Sequence, residues 1–375
     1  MRFLHTADWQ IGMKAAHVGG AASRVRDERL LAAQRVVRLA KDNSAEFILL
    51  AGDTFEDNGV DRVLVQKVAD TLASFAKPVF VIPGNHDPLV PGSVWEHPVW
   101  QSAGSVRVLR EPAPVEIPGG TLYPCPVMER HSGKDPTAWI DPARGQGVRI
   151  GVAHGTVEGI PTEEPDYPLP REAAVRRGLD YLALGHWHST TTYAEPDAAV
   201  RMAYSGTHET TKFGERDSGN VLLVDIEAPG ARPSITPLPT GGLAWSVQEA
   251  ILREAGDLAR ARAAIEAIDA ASKTLMELRV TGLLPAADRD ELDRIQGILD
   301  SRFLFGRLET SGLRPAPQDA NWLASLPVGL IRETGASLRD LADSEFAGPR
   351  PEGATPEVAA RALLELYARA SAGSA

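Results

Sequence analysis

The strongest constraint on this chain is a series of polar residues that each come just after a short apolar run. These residues are Asp8, Asp53, Asn85, His86, His154, His186 and His188. Short apolar runs bounded by turn-forming residues are typical of buried strands. Because the carboxyl ends of parallel strands meet at one edge of a sheet, we expect the loops that carry these residues to converge on a single site.

The first part of the chain predicts a sheet with parallel neighbours. Three apolar runs, Arg2–Thr6, Phe47–Ala51 and Val79–Ile82, are separated by two helical patterns. The first pattern ends near Lys41 and the second before Pro78. A strand–helix–strand–helix–strand order of this kind favours helices that pack against a parallel sheet.

Later apolar runs continue the sheet prediction. They lie at 121–127, 148–153, 181–184, 200–204 and 221–226. Few helical patterns separate these runs, whereas parallel neighbours usually need a helical crossover. We therefore expect more antiparallel neighbours in this second half of the core.

A change in composition divides the chain. Residues 229–242, PGARPSITPLPTGG, are typical of a linker. We predict a core domain over 1–235, a compact α+β domain over 240–325 and a helical C-terminal segment over 326–375. The α+β domain has a strand, a helix and a strand predicted at 273–281, 288–301 and 303–309. Apolar residues at helical spacing predict an amphipathic helix over 356–371.

The charge balance limits how the chain could bind nucleic acid. It has 39 Lys and Arg against 50 Asp and Glu, a net charge of −11. That acidity argues against coating nucleic acid with the whole surface, but it leaves a local basic groove open. The arginines of the first predicted helix are either a solvated face or a contact to a DNA backbone. They are Arg24, Arg26, Arg29, Arg35 and Arg38. A phosphate contact from His208 is also left open.

The single cysteine and the lack of long apolar stretches indicate where the protein works. Cys125 excludes an internal disulfide or a thiolate zinc cluster, and its apolar surroundings predict a small buried side chain. No apolar stretch approaches the ~20 residues that span a bilayer. Residues 1–8 are typical of a strand rather than of a basic-then-apolar leader. We therefore predict a cytoplasmic protein.

The donor groups predict a divalent metal centre. Carboxylate, amide and imidazole groups without a thiolate suit borderline-hard ions such as manganese, iron or zinc. His186 and His188 should project to the same side of an extended chain, with Cα atoms ~6.6 Å apart. Two such imidazoles could each serve one ion of a pair held ~3.5–4 Å apart.

Taken in order, the motifs AD, GD, GNHD, H and GHWH resemble those of the calcineurin-like metallophosphoesterases. Within that superfamily, the opening FLHTADWQIG, the GDTFE box and the late YSGT and FGE segments resemble the SbcD-type DNA repair exonucleases. The resemblance covers residues 1 to about 227. It implies an α/β fold, a four-layer α-β-β-α sandwich, with a small α+β C-terminal capping domain.

The resemblance also implies roles for the matched residues. Asp53 would bridge two metal ions. One ion would be bound by Asp8, Asp53 and His188, and the other by Asp53, Asn85, His154 and His186. His86 would stabilise the transition state and protonate the leaving oxygen, and Glu56 would orient His86. The implied reaction is hydrolysis of a phosphate ester in line, with both ions offsetting the developing charge.

Gln10 departs from the family pattern, which has a histidine at this third position of the first box. An amide oxygen can bind a metal, but it is neutral and a weaker donor than imidazole to borderline ions. Three consequences are open: an altered metal preference, a weaker first site, or an inactive protein. We expect an active enzyme, because every other ligand and His86 are present.

These observations predict a divalent-metal-dependent DNA nuclease, acting as exonuclease, endonuclease or both in DNA end processing and repair. Its cofactors are expected to be two divalent ions, with manganese favoured. The alternatives are a small-nucleotide phosphodiesterase or phosphatase and, because of Gln10, a metal-poor DNA-binding subunit. DNA is the expected partner, and the resemblance adds an SbcC-like ATPase and a homodimer. The helix over 356–371 either packs on its own core or docks on the ATPase's coiled coil.

Overall fold

Two compact units make up the structure. The computed structural model of the chain describes residues 1–160, 165–194, 199–285, 288–315 and 320–372. The first unit is Met1–Ala244 and the second is Trp245–Ala375. Each has its own hydrophobic core. The three-part division made from composition stays a prediction.

The first unit contains two six-stranded sheets. Its strands are β1 (Arg2–Thr6), β2 (Phe47–Ala51), β3 (Val79–Ile82), β4 (Val106–Val108), β5 (Val115–Ile117), β6 (Gly120–Pro124), β7 (Val148–His154), β8 (Tyr181–Gly185), β9 (Thr191–Ala194), β10 (Val200–Tyr204), β11 (Asn220–Asp225) and β12 (Ser234–Pro239). The first sheet has the order β12-β11-β1-β2-β3-β4, and the second has the order β5-β6-β7-β8-β10-β9.

The predicted strand–helix order at the start of the chain is confirmed. Strands β1 to β4 pair in parallel, and the register places Phe3 opposite Phe47. Helix α1 (Ala22–Asp42) connects β1 to β2, and α2 (Arg62–Ala73) connects β2 to β3. The α2 helix begins where the Asp61 carboxylate accepts a hydrogen bond from a main-chain N–H of its first turn.

Alternate residues of β2 face different layers of the molecule, because successive strand side chains point to opposite faces. Ile48 packs in a core shared with Val68 of α2. Leu49 packs in a core shared with Ile150 of the second sheet. A third core on the second sheet includes Ala174 of a short helix. The layers are therefore helix, sheet, sheet and helix, and the predicted α/β sandwich is confirmed.

The expectation of antiparallel neighbours in the second half is wrong for the centre of the second sheet. There β6–β7, β7–β8 and β8–β10 pair in parallel. In this sheet antiparallel pairing is confined to β5–β6 and β9–β10 at the two edges. The crossovers run through irregular segments and short helices, so the lack of long helical patterns gave no sign of parallel pairing. The expectation is confirmed for the run at 221–226, because β11 pairs antiparallel with both β1 and β12 of the first sheet.

The predicted linker is also wrong in part, because its residues Ser234–Pro239 form β12. This strand pairs antiparallel with β11, and its register places Pro239 opposite Asn220. It lies at the edge of the first sheet. Proline lacks an N–H group, so it is tolerated in an edge strand although it is rare in a central one.

The other helices of the first unit are short. They are α3 (Val99–Ser102), α4 (Ala173–Arg176) and 3₁₀ segments at Ala16–Ala21, Val94–Glu96 and Pro142–Arg144. Cys125 is buried, as predicted, and burial raises the pKa of its thiol to about 12. Among the described residues, no helix has both the length and the apolar character that crossing a membrane requires.

The second unit is a four-stranded sheet with helices. Its elements are β13 (Ala244–Leu252), α5 (Asp257–Glu266), β14 (Thr274–Leu284), α6 (Arg289–Arg302), β15 (Phe305–Glu309), β16 (Leu313–Pro315), α7 (Leu330–Ala342), α8 (Pro356–Ala372) and 3₁₀ segments at Ala271–Lys273 and Ala320–Ser325. The predicted strand, helix and strand are confirmed as β14, α6 and β15. The predicted C-terminal helix is confirmed as α8.

Candidate metal centre

The predicted ligands lie where parallel strands of both sheets end. Asp8, Asp53 and Asn85 follow β1, β2 and β3 of the first sheet. His154 is the last residue of β7, and His186 directly follows β8. The two sheets therefore present their loops at a common edge, as the sequence pattern predicts.

Three of these side chains form a buried cluster. One ligand atom from each of Asp8, Asp53 and His154 lies within 4.8 Å of the others. Asp53 Oδ2 is 3.4 Å from His154 Nε2. Asn85 Oδ1 is 2.8 Å from the same nitrogen and 3.2 Å from Nδ1 of His186. Five predicted ligands thus come together around one small volume.

The ring of His154 is oriented by its second nitrogen. Nδ1 lies 2.9 Å from the main-chain oxygen of Ala51, so its N–H donates to that carbonyl and Nε2 faces Asp53. Histidines that bind metals are usually held in this way. An imidazole nitrogen beside two carboxylates and an amide oxygen suits a divalent cation of the borderline class.

Burial and charge shape the pKa values of the cluster. Burial raises the pKa of Asp8 to about 6. Burial would also raise the pKa of Asp53, but the charge and hydrogen bond of His154 outweigh it and hold that pKa below its usual value. Burial opposes protonation of His154, yet Asp53 raises the pKa of its imidazole to about 9. A proton on His154 thus balances Asp53, and a cation bound there would displace it.

The backbone is strained at several predicted ligands. Asp8, Gln10, Asp53 and His186 have φ values of 55°, 41°, 51° and 106°. Left-handed backbone costs such residues on the order of 1–3 kcal/mol each, and it is typical of functional sites. The prediction of an extended chain at 186–188 is therefore wrong at its first residue.

Hydrogen bonds hold these strained loops together. The main-chain N–H of His186 donates to both carboxylate oxygens of Asp8, at 2.9 and 3.1 Å. The N–H of Asp8 donates to the Gly52 carbonyl at 3.1 Å. The N–H of Gln10 donates to the Asp53 carbonyl at 2.9 Å. The carboxylate of Asp8 therefore organises the loop after β8 as well as facing the cluster.

A glycine is required where two of the loops meet. A Cβ atom on Gly84 would lie 2.2 Å from Asp53 Oδ1. One on Gly52, where φ is 90°, would lie 2.4 Å from His154 Nδ1. Both distances are far below van der Waals contact, so the close approach of Asp53 and His154 depends on these two glycines.

His86 lies beside the cluster and is held at two points. Its main-chain N–H donates to Asp53 Oδ1 at 2.9 Å. Its ring Nδ1 is 2.9 Å from the main-chain oxygen of Glu56. Glu56 thus contacts His86 through its backbone carbonyl. The prediction that Glu56 orients His86 did not name the atom involved. Asp87, which has no predicted role, accepts hydrogen bonds from the N–H groups of Gly84 and Phe55.

His188 has a partner that the sequence analysis missed. The N–H at Nδ1 of His188 donates to Glu215 Oε1 at 2.7 Å. Thr211 donates to Glu215 through its main-chain N–H at 2.7 Å and through its hydroxyl. Burial opposes the charge on His188, but the hydrogen bond to Glu215 raises the pKa of this imidazole. The sequence offered one signal for this contact, which is the carboxylate of Glu215 in the loop that follows β10.

Two interpretations were considered for the arginines of α1, a solvated face and a contact to a DNA backbone. Neither holds for Arg29, because its side chain is buried. Arg29 is 1% exposed. Its guanidinium donates to the main-chain oxygens of Trp9 and Glu209, at 2.9 and 2.7 Å. His208 is also buried, with Nε2 2.8 Å from the Arg29 carbonyl and its ring stacked on Trp9. These contacts exclude the phosphate contact considered for His208.

Arg35 is likewise paired inside the first unit. It forms ion pairs with Glu28 at 2.8 Å and with Glu209 at 3.2 Å. It also donates to the Thr240 carbonyl at 2.6 Å. Arg29 and Arg35 therefore fasten the segment around Glu209 to the helix.

Two cavities flank His186, and both are open to solvent. One has a volume of about 530 Å³ and is lined in part by Asn85 and His131. The other has a volume of about 370 Å³ and is lined in part by His188 and Lys212. A substrate in either cavity would therefore lie against His186.

Comparisons with known proteins agree on the family. A model of the calcineurin-like phosphoesterase family matches residues 1–190, just over half of the chain. The chain is 24% identical over 245 residues to the uncharacterized metallophosphoesterase YhaO of Bacillus subtilis (strain 168). That match covers 60% of this chain and 57% of YhaO, less than two thirds of that protein.

Two further similarities are more limited. The chain is 24% identical over 278 residues to the D component of the nuclease SbcCD of Bacillus subtilis (strain 168), with 61% of this chain and 67% of that protein covered. The crystal structure of TT1561 of Thermus thermophilus matches with a TM-score of 0.42 and 13% identity, over 64% of this chain and 98% of that one.

The contact between His188 and Glu215 generates a prediction. Replacing Glu215→Gln keeps the size of the side chain but removes the charge that orients His188, so we expect manganese affinity to fall by about 10–100-fold. Titration calorimetry with manganese measures this. The matched control is Glu172→Gln, a half-exposed glutamate outside the site, which should leave affinity unchanged. Equal affinities for both variants would contradict the assignment of His188 as a ligand.

Proposed function

This chain belongs to the calcineurin-like phosphoesterase family, and we propose that it is a divalent-metal-dependent nuclease that cleaves phosphodiester bonds in DNA. Family membership makes it a metallophosphoesterase. The observation that carries the proposal is the buried cluster of Asp8, Asp53 and His154 with His86 held beside it. The choice of DNA is supported by similarity to a protein named as part of a nuclease.

We propose that the residues around the cluster hold two cations. We assign one to Asp8, Gln10, Asp53 and His188, and the other to Asp53, Asn85, His154 and His186. When bound, the ions would polarise a water and offset charge on the phosphate. The neutral amides of Gln10 and Asn85 add oxygen donors without further negative charge, which favours manganese among the possible ions.

We propose that His86 holds a proton at the leaving oxygen. The carbonyl of Glu56 accepts from Nδ1–H, so the ring is fixed and Nε2 is the nitrogen available to substrate. The bond from its main chain to Asp53 keeps that ring next to the predicted bridging carboxylate. We assign His86 as the general acid on this geometry.

A phosphodiesterase or phosphatase of small nucleotides is the second candidate. It is kept beside the nuclease because YhaO, a metallophosphoesterase with no substrate in its name, has the same sequence identity to this chain as the SbcCD component has. Both functions would use the same metal centre and the same general acid. They differ only in what binds beside the scissile phosphate.

Comparing substrates side by side tests the proposal. End-labelled linear DNA, circular single-stranded DNA and bis-p-nitrophenyl phosphate are incubated with the protein and manganese. Cleavage of linear DNA supports the nuclease, and cleavage of the circle adds endonuclease activity. Hydrolysis of the small diester alone would replace the nuclease with the second candidate. DNA binding without any hydrolysis would indicate a metal-poor binding protein.

Removing the proposed general acid gives a quantitative prediction. His86→Ala should bind manganese normally but lose about 10²–10⁴-fold in turnover, the usual contribution of general acid–base catalysis. Steady-state kinetics and titration calorimetry measure the two quantities. His97→Ala, at a half-buried histidine outside the site, should leave turnover unchanged. A loss of turnover below ten-fold for His86→Ala would contradict the assignment of His86 as the general acid.

Gln10 provides a second test of the metal assignment. It is 7% exposed, in the loop that also carries Asp8. If Gln10 is a ligand, Gln10→His should tighten manganese binding and extend activity to zinc and nickel, because imidazole binds these ions better than an amide does. Gln10→Ala should weaken binding less than Asp8→Ala, since no charge is lost. Identical half-saturation by manganese in wild type, Gln10→His and Gln10→Ala would exclude Gln10 as a ligand.

The second unit could dock an SbcC-like ATPase through its C-terminal helices. The ring of Tyr367 in α8 is 5.0 Å from that of Trp322, so part of the apolar stripe packs on its own unit. Just before α7 and in its first turn, however, Val328, Leu330 and Ile331 are exposed, at 88%, 79% and 59%. The relative named as part of SbcCD belongs to a complex, which supports a partner at these side chains.

Point substitutions test that docking better than truncation, because removing α8 would uncover Trp322. The double variant Leu330→Ser, Ile331→Ser should lose co-purification with an SbcC-like ATPase and keep hydrolysis of short oligonucleotides. Val175→Ser, an exposed apolar residue of the first unit, is the control. Retained co-purification would disprove docking at this surface. Sedimentation of the same proteins measures whether a homodimer uses it instead.

A further inference from the structure

We propose that Trp187, Lys212 and Phe213 form a nucleotide subsite beside the metal centre, in which Trp187 stacks on a base of a single-stranded substrate. This inference rests on the proposed nuclease function. It goes further by stating what is bound next to the scissile phosphate and through which side chains. The ligand class is a nucleotide unit of DNA, recognised by its base and its phosphate.

The exposure of Trp187 is the first observation. All seven tryptophans of the chain lie in its described part, and Trp187, at 36%, is the one among them that is exposed. Trp9 and Trp95 are completely buried. An exposed apolar residue is ordinary on a surface by itself. Here it sits between His186 and His188, which are both assigned as metal ligands.

The cavity beside Trp187 is the second observation. Its volume is about 370 Å³, and its lining includes Trp187, Lys212 and the half-buried ring of Phe213 together with His186 and His188. Such a cavity has room for a nucleotide unit. An aromatic platform next to a cation is the usual arrangement for binding a single strand, because every base has a π-face and every link has a phosphate.

The platform is fixed before substrate arrives. The main-chain N–H of His186 is bonded to Asp8, and the ring of His188 is bonded to Glu215. The carbonyl of His188 also accepts from Thr207 N–H at 2.9 Å. The backbone on both sides of Trp187 is therefore held, which lowers the entropy cost of stacking on it.

Lys212 supplies a positive charge in a chain whose net charge is −11. It follows Thr211, whose N–H and hydroxyl hold Glu215. The carboxylate of Glu215 is already engaged by hydrogen bonds from His188 and Thr211. The exposed ammonium of Lys212 is thus positioned to attract a phosphate of the bound strand, and this contact should depend on salt but not on the base.

Binding without catalysis tests the subsite. Short fluorescein-labelled strands, one of thymidines and one abasic with the same phosphates, are titrated with protein in a chelator, and Kd is read from anisotropy. Trp187→Ala should weaken binding of the thymidine strand by about five- to a hundredfold and reduce its advantage over the abasic strand. Trp187→Phe should restore most of that advantage. Lys212→Met should weaken both strands alike, and less so at high salt.

Further readouts separate this inference from the proposed function. Val175→Ala is the control and should match wild type in every measurement. Calorimetry with manganese should show that Trp187→Ala still binds metal. In the wild type, the thymidine strand should quench tryptophan emission more than the abasic strand does, which needs no variant. Equal quenching, or equal effects of Trp187→Ala on both strands, overturns the subsite even if DNA is cleaved. No binding or cleavage of DNA by the wild type overturns the proposed function itself.

Discussion

The contact between Asp53 and His154 is the one on which the rest of the site depends. Asp53 follows a strand of the first sheet, and His154 ends a strand of the second. Their contact therefore joins the edges of the two sheets at which the predicted ligands lie. It is possible because Gly52 and Gly84 leave room for the two side chains. In the metal-free protein it pairs a carboxylate with an imidazolium, and the same atoms are the natural ligands of a cation.

How much of the fold could be predicted depends on how the strands are buried. Strands β1, β2 and β3 were predicted with the bounds that they have, because helical patterns separate the three and both β2 and β3 are continuous apolar runs. The parallel centre of the second sheet was missed, since its crossovers carry little regular helix. The strand Ser234–Pro239 was missed because its prolines are typical of linkers, and only its place at a sheet edge allows them.

In the site, as in the fold, some features could be predicted from the sequence and others could not. The donor side chains could be predicted because the residue type determines their chemistry. Their position just after a strand is also a local feature of the sequence. Their supports could not. Glu56 acts through a main-chain carbonyl, which no residue type reveals. Glu215 reaches His188 across 27 positions of sequence. Arg29 is one of several arginines in α1, and only the tertiary structure shows that it points inward.

Arg29 also explains why the unusual residue at position 10 is tolerated by the fold. Its guanidinium binds the carbonyls of Trp9 and Glu209, and so fastens the first loop to the segment after β10. The backbone of Gln10 is held by its N–H bond to the Asp53 carbonyl. None of these bonds uses the side chain of residue 10. These bonds are therefore available when Gln10 is replaced by histidine or alanine, and such a change should alter the donors offered to a metal without removing the hydrogen bonds that hold the loop.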